Sequence, residues 1–143
     1  MESNIAFAVI GEPFGKKRPR ANIICGHAHM HNDPENERYE LKVLNGFINA
    51  YGKRIEPMFA KDTQLIATIE AHYSMPKAFS KKKREMARLR QIRPTKKPDC
   101  DNIAKSVLDA LNGIVYYDDS QVVELVVKKF YDDNAYVAIE IGE

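Results

Sequence analysis

Apolar residues are distributed along the chain in runs whose spacing changes from segment to segment. "IAFAVIG", from Ile5 to Gly11, is almost wholly apolar and is closed by Gly11 and Pro13, the pattern of a buried strand. From Asp33 the segment "DPENERYELKVLNGFINAYG" predicts a helix, with Asp33 as N-cap, Pro34 at the first helical position and Gly52 as the stop. Gly46 is its weak point, and Phe47, Ile48 and Tyr51 are its core candidates. "QLIATIEAHYSM" alternates Leu65, Ala67, Ile69, Ala71 and Tyr73 against mostly polar neighbours, which predicts a half-buried strand ended by Pro76. Ser80 is placed to cap a short basic helix, and a third helix lies in "KPDCDNIAKSVLDALNG", Lys97 to Gly113. "QVVELVVKKFY" (Gln121 to Tyr131) and "AYVAIEI" (Ala135 to Ile141) predict a closing antiparallel pair across Asp132, Asp133 and Asn134, with Val137, Ile139 and Ile141 inward. The order predicts an α+β fold, a small mixed sheet flanked by helices, as one domain over residues 1–143.

A chain of 143 residues, 44% hydrophobic, can bury a core without staples. Cys25 and Cys100 are its two cysteines and no secretory pattern opens it, so a reduced, cytoplasmic protein is expected. No apolar run approaches the roughly 20 residues of a membrane span, so no membrane partner is expected.

The net charge of +2 hides segregation. Residues 81–97, "KKKREMARLRQIRPTKK", carry +8, which leaves −6 for everything else. A smaller basic cluster, "GKKRPR", spans Gly15 to Arg20. Two such runs point to a polyanion, with Lys16, Lys17, Arg18, Arg20, Lys81, Lys82, Lys83, Arg84, Arg88, Arg90, Lys96 and Lys97 as candidate phosphate contacts. Charge of this kind selects phosphate and says nothing about base sequence.

The acids are equally concentrated. Pro98 disfavours helix at Lys97, so the chain should reach the third helix extended, with Asp99 and Asp101 on one side and Asp101 as N-cap. At roughly 100° per residue, Ile103, Val107, Ala110, Leu111 and Ile114 form the core face. Asp101, Lys105 and Asp109 then lie on the opposite side, one helical turn apart, where Lys105 can partly neutralise both acids. Asn112-Gly113 ends the helix, and "IVYY" delivers Asp118-Asp119 to the next strand. Carboxylates brought this close repel unless a cation lies between them, and a hard oxygen-binding cation such as Mg²⁺ fits.

These segments resemble the RusA-type Holliday-junction resolvases. The likeness rests on "MPKAFSKKKREMA", "KPDCDNIAKSVLDALNG", "YYDDSQVVELVVKK", "IGEPFGKKRPR" and the final "AYVAIEI". It implies a homodimeric, Mg²⁺-dependent endonuclease, with Mn²⁺ as a substitute, that recognises four-way DNA junctions by shape and makes paired cuts during recombination and repair. Position by position, Asp99, Asp101 and Asp119 resemble the family's catalytic metal ligands and Lys105 its catalytic lysine, and Asp118, at a further acidic position of the family, is also a candidate metal ligand. Asp109 is expected to be structural, facing and orienting Lys105. Two departures stand out: "ANIICGHAHMH", Ala21 to His31, is not a pattern associated with the family, and no aromatic stands immediately before Asp99.

Cys25, His27, His29 and His31 alternate, which would put a possible soft-metal set on one side of an extended surface loop. Tyr116 and Tyr117 are expected to pack on the core or at a dimer contact more than to stack on bases. Two rival readings use the same residues: a nuclease for flaps, other branched DNA or RNA, and a non-catalytic DNA-binding module.

Overall fold

The computed structural model describes residues 4–143, the side chain of Arg20 excepted. Its strands are β1 (Ile5–Ile10), β2 (Arg20–Ile24), β3 (His27–His31), β4 (Leu65–Ser74), β5 (Val122–Asp132) and β6 (Tyr136–Gly142). The helices are α1 (Pro34–Tyr51), α2 (Lys81–Arg88) and α3 (Cys100–Leu111). The main sheet runs β1-β6-β4-β5; β4 and β5 are parallel, whereas β6 is antiparallel to β1 and β4. This is the expected α+β fold with a mixed sheet.

Local signals explain the helices. Asp33 accepts from the Glu35 amide and Pro34 opens α1, so both ends of that prediction stand. Ser80 accepts from the Lys83 amide at the start of α2. Gly46, unfavourable inside a helix, lets α1 press onto β1: a Cβ there would lie 3.2 Å from both the Ala8 carbonyl oxygen and the Phe7 ring.

One face of the sheet is the core. Leu65, Ala67, Ile69, Ala71 and Tyr73 of β4 and Val137, Ile139 and Ile141 of β6 are buried as predicted. They meet Val43 and Phe47 of α1 and Ile103, Val107 and Leu111 of α3. The other face is a shallow open depression around Ala6, Ala8, Thr68, Glu70 and Ala138.

Two expectations are corrected. β5 and β6 do not pair with each other, because β4 lies between them. The three residues joining them cross the end of β4, a span of two strand spacings, roughly 10 Å, which three extended residues can cover. Met75 N donates to Asp132 O at 3.1 Å there, tying β4 to the start of that crossing. Second, residues 20–31 are a β-hairpin and not a loop, with β2 antiparallel to β3. It turns at Cys25 and Gly26, both at positive φ (52° and 78°). His27, His29 and His31 alternate along β3 and are exposed, while Cys25 sits in the turn.

Candidate active site

The long connection between β4 and β5 carries all the candidate catalytic residues. Near the end of β4 the buried Tyr73 anchors it: the Tyr73 hydroxyl donates to the Pro98 carbonyl at 2.9 Å and fixes the approach to α3. Burial, with Cys100, Asp99 and Glu12 nearby, pushes the Tyr73 phenol well above its ordinary range, so it remains a neutral donor.

α3 begins two residues earlier than predicted: Asp99 is its N-cap and Asp101 lies in its first turn. The two acids are therefore not alternate residues of one extended strand. Asp99 makes no side-chain capping bond, unlike Asp33, Ser80 and Asp118 at the other helix starts. Asp101 and Lys105 are exposed on the outer face of α3, while Ile103, Val107, Ala110 and Leu111 are buried, as the periodicity requires.

Asp118 and Asp119 enter through a 3₁₀ turn, Asp119–Gln121, that leads into β5. Asp118 accepts from the Ser120 amide at 3.0 Å, and Gln121 Oε1 accepts from the amides of Tyr117 and Asp118. Hydrogen bonding from Ser120 holds the Asp118 carboxyl below its ordinary range. Asp118 is thus occupied in building the turn, which leaves Asp119, half-buried beside it, without such a bond. Tyr116 is wholly buried and donates to Leu108 O at 2.6 Å, locking the turn against α3. Burial, and after it the negative charges of Asp119, Asp109 and Asp118, raise its phenol pKa strongly, so it remains a neutral donor. Tyr117 is exposed, with Lys61 Nζ 5.2 Å from its ring centre.

Asp109 does not face Lys105 in an ion pair. Its partner is Lys16, whose Nζ lies 2.5 Å from Asp109 Oδ2 and 3.2 Å from Glu40 Oε2 of α1. The helical spacing could not reveal this, since the partner comes from the loop after β1. Burial works to lower the Lys16 pKa, but the bonds and charges of Asp109 and Glu40 outweigh it and the value rises. Lys17 likewise pairs with Glu35. Of the four cations in the first basic cluster, Arg18 is exposed and makes no such pair among the described residues, and the Arg20 side chain lies outside them.

Several cations of the second cluster also have partners within the fold. Arg84 donates to the carbonyls of Phe79 and Pro76, and Arg88 pairs with Asp133 at 2.9 Å. Arg90, together with Arg93, flanks the Phe130 ring at 4.0 and 4.4 Å. Lys83 lies over Phe79, and Lys96 over Tyr73 at 5.8 Å. Lys81, Lys82 and Lys97 are exposed.

His72 is a residue the sequence reading passed over. It is 1% exposed, its ring stacks on Tyr136 at 4.2 Å, and its nitrogens lie 3.3 Å from Glu70 and Asp132. An alternating strand puts it on the polar side, where the rings of Phe130 of β5 and Tyr136 of β6 pack against it.

Among the described residues, no three His, Cys, Asp or Glu side chains stand together as a metal-holding group. The chemistry of the donors nevertheless suits a hard cation: Asp99, Asp101 and Asp119 offer carboxylate oxygens not engaged in hydrogen bonds or ion pairs among the described residues.

Comparison with known proteins adds three findings. The family described as Endodeoxyribonuclease RusA matches residues 11–142. The chain is 39% identical over 141 residues to an uncharacterized protein, YqaN, of Bacillus subtilis (strain 168), covering 97% of this chain and 96% of that one. It is 44% identical over 50 residues to the crossover junction endodeoxyribonuclease rusA of Lactococcus phage r1t, covering 34% of this chain and 38% of that one.

Proposed function

The chain belongs to the RusA endodeoxyribonuclease family, and on that premise we propose that it resolves four-way DNA junctions by paired, symmetric, Mg²⁺-dependent nicks. The observation that carries this reading is the contrast in commitment among the polar side chains. Asp33, Ser80 and Asp118 serve as caps, and most of the clustered cations have partners. Asp99 makes no capping bond, and the side chains of Asp101, Lys105 and Asp119 make no hydrogen bond or ion pair among the described residues. Leaving these four charged groups unpaired forgoes stability, which is expected where they serve a ligand.

In this reading Asp99, Asp101 and Asp119 are the metal ligands, and Asp118 shapes the turn that presents Asp119. When bound, the metal supplies a water of lowered pKa and charge neutralisation at the leaving oxygen. Lys105, a point charge on the same helix face as Asp101, stabilises negative charge developing on the scissile phosphate. Lys81, Lys82, Lys97 and Arg18 remain to guide the DNA arms. A four-way junction is two-fold symmetric, so a two-fold homodimer with one site per subunit matches it.

The test is cleavage of an end-labelled four-way junction beside matched linear duplex. Symmetry-related nicks confined to the junction, present with Mg²⁺ and absent with EDTA, are expected; equal cutting of the linear duplex would refute junction selectivity. Lys81→Ala and Lys82→Ala are each expected to weaken junction binding and to reduce the slope of log affinity against log salt by about one. Titration of affinity across salt concentrations checks this, and an unchanged slope would remove α2 from the DNA surface.

A further inference from the structure

We infer that Lys16 is a positioning residue of the cleavage site: by occupying Asp109, it keeps Lys105 free for the scissile phosphate. The inference rests on the endonuclease reading and adds to it a residue that touches neither substrate nor metal.

Asp101, Lys105 and Asp109 occupy successive turns of one face of α3. On an isolated helix Lys105 would be drawn weakly to either acid. The pairing with Asp109 has lysine N-terminal to the acid, the weaker orientation of the two. In the structure Asp109 is instead taken by Lys16, which also reaches Glu40. The three side chains are only 20–28% exposed, so their attraction is less screened than that of a surface pair.

The loop that carries Lys16 is fixed independently of its charge. Ser106 Oγ donates to Phe14 O at 2.9 Å, and Lys16 N donates to Asn102 O at 3.0 Å. Asn36 exchanges two bonds with the Lys17 backbone, both 2.8 Å. Gly15 sits so close to the start of α3 that a Cβ there would come within 2.6 Å of Pro98 Cβ. With its backbone held in this way, Lys16 meets Asp109 at small entropic cost and wins the competition with Lys105. A cation that looks like a phosphate contact in the sequence is therefore spent inside the protein.

Single-turnover cleavage of a four-way junction, with junction affinity and thermal melting measured alongside, tests this on Lys16→Met, Lys16→Arg and the double variant Lys16→Met/Asp109→Asn. Lys16→Met is expected to cut about twofold more slowly, the scale of a weak helix-surface pairing that now competes for Lys105, with junction affinity unchanged. Lys16→Arg should keep most of the rate. The double variant should recover it, because Asp109 no longer captures Lys105. A wild-type rate in Lys16→Met would overturn the inference. So would a parallel loss of affinity, which would make Lys16 a phosphate contact, or a double variant that regains its melting temperature but not its rate. Wild-type protein that binds junctions and never cuts them would overturn the endonuclease reading, and this inference with it.

Discussion

Asp101→Asn is expected to slow junction cleavage about a thousandfold, roughly 4 kcal/mol of transition-state stabilisation, while junction affinity stays within about twofold. The substitution keeps the shape of the side chain, replaces a carboxylate oxygen with an amide that repels a cation, and touches no packing. Asp101 is exposed in the first turn of α3 and bonds to nothing else among the described residues, so the fold should be indifferent to it. Removing one negative charge from a surface that meets phosphates should, if anything, tighten binding slightly. Single-turnover rates in Mg²⁺ and gel-shift affinities in Ca²⁺ separate the two effects. Cleavage that survives at the wild-type rate would strike Asp101 from the site; loss of binding together with cleavage would mean that it shapes the DNA surface.

Phe47→Ala is expected to cost about 3–5 kcal/mol of stability. Phe47 is fully buried near the C-terminal end of α1, with its ring 5.9 Å from Phe7 of β1 and 5.4 Å from Tyr51. Its loss would open a cavity between α1 and β1, where Gly46 already brings the two backbones too close for easy collapse. For a domain of ordinary total stability, about 5–15 kcal/mol, this is a large fraction, and the melting temperature should fall on the order of 10 °C or more. Chemical denaturation with a constant m-value checks it. A shift below about 1 kcal/mol would mean that the α1–β1 contact is far more plastic than its burial indicates.

The parts of the fold that were legible in the sequence are those that local chemistry decides. Asp33 and Ser80 announce α1 and α2 because a cap is a contact between near neighbours. The inward residues of β4, β6 and α3 follow from periodicity alone. What escaped depends on residues far apart in the chain. Two adjacent strand patterns read as a hairpin, yet β4 takes the place between them, and neither run contains a mark of that exclusion. The β2–β3 hairpin alternates histidine where a strand usually shows apolar residues, and its turn uses Cys25 at positive φ. At the site, residue types and motif were legible, whereas commitment was not. Asp109 looked like a partner for Lys105, and Lys16 and Lys17 like contacts for DNA, because their actual partners are tertiary.

The sheet order also bears on how the protein is made. β1 pairs only with β6, and β4 pairs only with β5 and β6. During synthesis the two earlier strands of this sheet therefore leave the ribosome with no strand to pair with. The loops that join them to their partners are long, so closure is entropically slow and waits for the C-terminal third of the chain. The helix that carries Asp101 and Lys105 has no complete surface to dock on until then. In a nascent chain α3 is thus seated last, after β6 has closed the sheet.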